Sequence, residues 1–206
     1  MTIVTNILVK SRELFDVAGM TRMENKTLLL LGLESTTERN LDDFGHENGH
    51  FRMYGFEKHV QHRLDEILLL IYNTGYAAET LGHIGYPLEG EINLKEAAIR
   101  LGIGKRGKNT VVLHPKYGPR LRFMGVKTNI PYDMTDVPLN EKENPICSDC
   151  SICIDSCPVN ALEPYRMPDP SICLSNITPV DEKGHSILCD LCIKLCPAGK
   201  PEKITK

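Results

Sequence analysis

Eight cysteines hold the chemistry legible in this chain, and all of them follow residue 146: Cys147, Cys150, Cys153, Cys157, Cys173, Cys189, Cys192 and Cys196. The first four read C-x2-C-x2-C-x3-C-P, closing at Pro158. The last three read C-x2-C-x3-C-P, closing at Pro197, and Cys173 stands apart. Three thiolates at that spacing wrap a tight loop around one face of an iron–sulfur cube and offer backbone N–H groups to its sulfurs. The fourth leaves the loop beside a proline, at a helix start where a missing N–H costs nothing. In a run of this kind the fourth cysteine ligates the other of two clusters. The expected sets are Cys147, Cys150, Cys153 and Cys196 for one [4Fe–4S] cluster, and Cys157, Cys173, Cys189 and Cys192 for a second. Zinc modules set out separated C-x2-C pairs instead, and a disulfide scaffold spreads its bridges through a secreted chain. Low-potential electron transfer is the chemistry a pair of such clusters supplies.

The elements that must position these thiols are read from periodicity. A helix is expected over 3–18, with Ile3, Ile7, Leu14 and Val17 on one face and Gly19 as its stop. KTLLLLGLE (26–34) reads as a buried strand, and the polar, glycine-punctuated stretch 35–54 as a loop. A long helix is expected over 56–74, presenting Val60, Leu64, Ile67, Leu68 and Ile71, followed by a turn-rich connection over 82–90. Asn93 is placed to cap a helix LKEAAIRLG, with Glu96 completing a capping box. Strands are expected over 110–113 and 120–128, joined through Pro115, Gly118 and Pro119. The Pro-, Asp-, Glu- and Asn-rich stretch 131–145 reads as a linker, dividing a domain of residues 1–135 from a cluster domain of residues 136–206.

The bulk numbers exclude more than they assign. The 206 residues are 41% hydrophobic with a formal net charge of −3, enough for one or two cores and no footprint for nucleic acid. Aromatics are 6% with no Trp, which leaves RNA without stacking platforms. Residues 28–31 and 67–71 are the longest apolar runs, too short to cross a bilayer. The first twenty residues lack a basic start, an apolar core and a small-residue cleavage site. A cytoplasmic protein with no membrane partner is expected.

Charge is uneven: Lys95 to Lys127 contains nine Lys or Arg and one acid, Glu96. Within it, G-I-G-K-R-G-K (102–108) offers glycines that bring backbone N–H groups near an anion, and Lys105, Arg106 and Lys108 supply charge. No Ser or Thr follows the lysine, so it is not a Walker loop. Gly104, Lys105, Arg106, Gly107, Lys108 and Asn109 are the candidate cofactor-binding residues; a helix cap at Gly102 running into a solvated turn is the plain alternative. Arg120 and Arg122 alternate on a strand, facing an acidic redox partner, a phosphate, or solvent. G-H-E-N-G-H (45–50) offers His46, Glu47 and His50 to a metal, on a loop rather than the helix such a motif needs. His59 and His62 read as surface or packing residues, and His114 sits in a turn before Pro115.

Two stretches carry a resemblance to a known family. LGIGKRGKNTVVLHPKYGPRLRFMGVKTNIP (101–131) resembles the A-G-L-G-W-x-G-K-N-T segment of the epoxyqueuosine reductases and the strand hairpin after it. The cysteines 147–196 match that family's cluster pattern ligand for ligand, the isolated Cys173 included. EKHVQHRLDEI (57–67) is compatible with its Y-H-K-x-L-x-x-R-L helix, and the reductive dehalogenases are similar at greater distance. The resemblance implies an α+β fold: a small nitroreductase-like, cobalamin-binding N-terminal part followed by a two-cluster ferredoxin-like module. It also implies a cobalamin or other corrinoid cofactor and an external donor of ferredoxin or flavodoxin type. The family's D-S-A-P-x-x-E-R motif, whose aspartate is the proposed proton donor, is replaced here by YPLEGEINLKEA (86–97), with Glu89 and Glu91 the acids nearest its place. Lys105 stands where the family has Trp. The reading is an electron-transfer protein or reductase of this kind, with a non-catalytic ferredoxin-like subunit docking a larger enzyme as the alternative.

Overall fold

The computed structural model describes residues 2–23, 26–47, 50–86, 92–133, 143–180 and 185–199. Helix α1 (Ile3–Leu14) is capped by the Thr2 hydroxyl, which accepts from the Thr5 N–H. It stops four residues before the expected end, because Val17–Met23 forms strand β1 and pairs with β2 (Lys26–Glu34) from Val17↔Gly32 to Met23↔Lys26. Gly19 is thus a strand residue, and sheet pairing has overridden a helix-like apolar spacing.

The central sheet is antiparallel in the order β1-β2-β8-β5, with β8 Leu121–Thr128 and β5 Ala78–Thr80. Strand β2 explains its own unbroken apolar run, for both its faces are covered. Leu29, Leu31 and Leu33 join a core with Ile7 of α1 and with Leu64, Ile67 and Ile71 of α3 (Gln61–Asn73). Leu28 and Leu30 point the other way, onto Leu94, Ala98 and Ile99 of α4 (Leu94–Arg100). The period-two alternation sends successive leucines into different cores.

The helix expected over 56–74 is two: α2 (Tyr54–His59) and α3 meet at Val60, which caps both. Asn93 caps α4 as expected, its side chain accepting from the Lys95 and Glu96 N–H groups at 3.1 and 3.2 Å. Glu96 does not return to Asn93; its carboxylate pairs with Arg106. Replacing Asn93 with Ala is expected to lower stability by about 1 kcal/mol, read as a shifted denaturation midpoint with unchanged slope. Gly102 takes φ +67° and ends α4, the left-handed cap that glycine adopts without strain.

Two strands interrupt the expected loop 35–54: β3 (Asp43–Glu47) and β4 (His50–Arg52). A short hairpin pairs β6 (Lys105–Arg106) with β7 (Val112–Leu113), so 110–113 and 120–128 are not partners of each other. The cysteine module contributes α5 (Ile152–Asp155), α6 (Pro170–Leu174), β9 (Ile177–Pro179), β10 (His185–Leu188) and α7 (Leu191–Lys194). Its strand β10 pairs with β3, giving a second sheet β4-β3-β10-β9 that crosses the expected linker, and His185 stacks on Tyr54 at 4.0 Å between ring centroids.

Candidate metal centre

The first cysteine run is shaped by short-range hydrogen bonds. Asn144 caps a 3-10 turn over Pro145–Cys147, accepting from the Ile146 N–H at 3.1 Å, and the Cys150 N–H reaches Cys147 O at 3.3 Å. Cys153 rides on α5. Past its end, Cys157 Sγ accepts from the Ala161 N–H at 3.3 Å, the kind of N–H···S bond that favours a charged sulfur. Between the two runs, Asp169 caps α6, which carries Cys173; the Ser171 hydroxyl and N–H hold the Asp169 carboxyl below its usual range. The Cys189 N–H donates to Asn176 O at 3.1 Å, tying the isolated Cys173 stretch to the strand that delivers Cys189.

All eight cysteines are free thiols, and several lie within one another's fields. Burial, then the charges of Cys147, Cys196 and Cys150, pushes the Cys153 thiol up. Burial, then Cys157 and Cys189, does the same to Cys173. Burial, followed by Cys173, Cys153, Cys189 and Cys157, pushes Cys192 up to about 12. Thiols crowded in this way resist ionising together unless a cation compensates them, and iron supplies that compensation when thiolates become ligands. A narrow pocket of about 10 Å³ lies among Cys147, Cys150, Cys153 and Cys196, lined also by Leu113, Ile146 and Ile152 and edged by Lys108 and Asn109. Among the described residues, no three His, Cys, Asp or Glu side chains gather as a single metal ion requires.

The hairpin residues singled out by sequence are engaged within the protein. Lys105 and Arg106 form β6, with Arg106 on Glu96. Gly104 and Gly107 lie so close to Leu113 that a side-chain carbon would meet its carbonyl oxygen at 2.6 Å and its Cδ1 at 2.9 Å respectively. Lys108 Nζ donates to Ser148 O at 3.1 Å and Asn109 Nδ2 to Cys192 O at 3.1 Å, both on the cysteine module. Arg120 and Arg122 are partly buried, and both are ion-paired within the protein. Arg120 pairs with Glu34 at 2.8 Å, and Arg122 grips both oxygens of Asp42 at 2.6 and 2.7 Å. His114 Nδ1 accepts from the Lys116 and Tyr117 N–H groups, and burial lowers its pKa, so it closes its own turn. His59 is likewise lowered by burial, and His62 lies beside Arg63 at 3.0 Å. Glu47 pairs with Arg52; the side chains of His46 and His50, and all of Glu89 and Glu91, lie outside the described residues.

One cluster of groups escaped the sequence reading. Burial alone would lower the Arg122 pKa, but the charge and hydrogen bonds of Asp42 outweigh it and the net movement is upward, helped by Tyr86 and Cys192. Arg122 thus lies within the field of Cys192, beside Tyr86, whose phenol burial pushes up. An Asp preceding β3 and an Arg in β8 are 80 residues apart, and nothing local in the sequence links them.

The epoxyqueuosine reductase of Listeria monocytogenes is 36% identical over 121 residues, which cover 54% of this chain and 31% of that protein. The chain resembles the epoxyqueuosine reductases. An epoxyqueuosine reductase structure from Bacillus subtilis superposes over 84% of this chain and 48% of its own with a TM-score of 0.57 at 21% identity. A reductive dehalogenase structure, described with a mechanism for B12-dependent dehalogenation, covers 96% of this chain and 32% of its own at a TM-score of 0.66 and 18% identity. These two share the fold. The chain spans about a third of the length of the epoxyqueuosine reductases it matches in sequence. No family model matches it. As in the reading of its sequence, the chain is of mixed helix and sheet, and none of its described helices is long and apolar enough to cross a membrane.

Proposed function

We propose that this chain is an iron–sulfur redox protein of reductase type, with [4Fe–4S] clusters on Cys147, Cys150, Cys153 and Cys196 and on Cys157, Cys173, Cys189 and Cys192. The observation that carries the reading is geometric: among eight free cysteines, Cys196 of the second run lines one pocket with Cys147, Cys150 and Cys153 of the first. When bound, such clusters supply centres that accept and release single electrons at low potential. The chain's own part is to ligate, to shield and to polarise. The thiolates would hold the irons, buried Leu113 covers one side of one set, and the Ala161 N–H stabilises charge on Cys157 Sγ. A reducing cytoplasm is the compartment this requires.

Residues 1–135 serve in this reading as the part that binds an acceptor or partner, and residues 136–206 as the part that brings electrons from an external donor of ferredoxin or flavodoxin type. A corrinoid acceptor is supported by the relatives alone. Residues 104–109 do not form a cradle for it, because their side chains and glycine faces are engaged with α4, Leu113 and the cysteine module. No step is derived through that group. The alternative of a carrier subunit that docks a larger enzyme is favoured by one observation: Ile146, Ile152, Ile172, Leu174, Ile177, Val180, Leu191 and Leu195 are all exposed on the cysteine module.

Anaerobic purification is expected to yield brown protein with about eight irons and matching labile sulfide per chain. Iron near zero with stoichiometric zinc would end the reading. Reconstitution with cobalamin or flavin under reducing conditions separates the two forms: a retained chromophore supports the reductase, and none beyond the clusters supports the carrier.

A further inference from the structure

We infer that the anion for which the glycine–lysine hairpin is built is the cluster held by Cys147, Cys150, Cys153 and Cys196, and that Lys108 is the cation setting its potential. The inference rests on the cluster reading above and deepens it. Sequence offers this loop as an anion cradle; the fold turns it onto the cysteines.

The hairpin tip is held from several sides. The Gly107 N–H donates to Val111 O and the Thr110 N–H to Gly107 O, each at 2.9 Å, closing the turn with Thr110 left-handed at φ +67°. A left-handed threonine is an uncommon conformation that the surrounding structure must maintain. Three bonds then fasten the tip to the cysteine module: Lys108 Nζ to Ser148 O, Asn109 Nδ2 to Cys192 O, and the Tyr165 N–H to Lys108 O at 3.2 Å. Ser148 lies in the loop between Cys147 and Cys150, so the ammonium is anchored at the rim of the cavity those thiols line.

Charge bookkeeping separates the two cysteine sets. Among the described residues Lys108 makes no ion pair, and the neighbouring Arg106 is neutralised by Glu96. Arg122 lies within the field of Cys192, and Asp42 neutralises it. The cation at the rim of one set thus has no ion-pair partner among the described residues, whereas the arginine near the other is paired. A nearby cation favours the more negative, reduced form of a cluster, and so raises its reduction potential. The half-exposed position of Lys108 leaves part of that field screened by solvent.

The test is an EPR-monitored redox titration of the clustered protein and its Lys108→Gln, Lys108→Arg and Lys108→Glu variants, with iron and sulfide assayed in each. Lys108→Gln is expected to weaken reduction of one centre about tenfold, which for a one-electron couple is about 59 mV, and to leave the other unmoved. Lys108→Arg should hold the native value and Lys108→Glu should move it further than Gln. Midpoints ordered by charge at constant iron content support the role, since a merely structural contact would not follow charge. Potentials unmoved in all three variants, or shifted alike by Arg and Gln, overturn it while leaving the clusters in place. A wild-type protein without iron overturns the cluster reading itself, and the role with it.

Discussion

Cys157→Ala is expected to destroy the centre completed by Cys173, Cys189 and Cys192, and to spare the one built by its own neighbours Cys147, Cys150 and Cys153. The reason is spatial. Cys157 leaves the first run past the end of α5, whereas Cys153 lines one pocket with Cys147, Cys150 and Cys196. Iron should fall by about half, from about eight to about four per chain, and one of the two EPR signals of the reduced protein should vanish. The reciprocal variant, Cys196→Ala, should remove the other signal although Cys196 belongs to the second run. Loss of the same signal from Cys157→Ala and Cys153→Ala would show that each run closes its own cluster, and the assignment of ligands would be wrong.

The second large effect lies away from the thiols. Asp42→Ala is expected to destabilise the folded chain by about 3 kcal/mol, at the lower end for breaking a buried ion pair. The carboxylate accepts two bonds from Arg122, and their side chains are only 22% and 16% exposed. Removing it strands a guanidinium that, among the described residues, retains only the carbonyls of Pro119 and Leu121. For a chain of this size the loss corresponds to a fall of about 6–12 °C in melting temperature, measured anaerobically. The double variant Asp42→Leu/Arg122→Met should recover most of it, because the cost comes from the unpaired charge rather than from the missing pair. A single variant within 0.5 kcal/mol of the native protein would show the pair to be solvated and of little consequence.

Local pattern sufficed for elements whose burial is decided by their own neighbours in sequence. Strand 26–34 is found at its expected bounds because an unbroken leucine run of this kind, covered on both faces, has few other ways to be buried. The cap at Asn93 and the left-handed Gly102 were legible because a cap is a contact within four residues. Strands β3, β4 and β6 were not legible. Each is short and polar, and each exists because a partner arrives: β10 from across the linker for β3, and β7 for β6. Val60 reads as helix interior in any periodic scheme, yet two helices meet there.

The same division runs through the site. Sequence by itself determined the donor atoms: eight thiols, their two runs, and the spacing that suits iron–sulfur ligation, since ligand chemistry belongs to residue type and a loop of three or four residues is a local object. The tertiary structure decided what surrounds them. It turned a basic loop from a candidate phosphate cradle into a hairpin pressed on the cysteines, converted Arg122 from a surface cation into half of a pair beside Cys192, and stacked His185 on Tyr54. Fields and burial depend on distance in space, and chain separation carries no information about that until the sheets have formed.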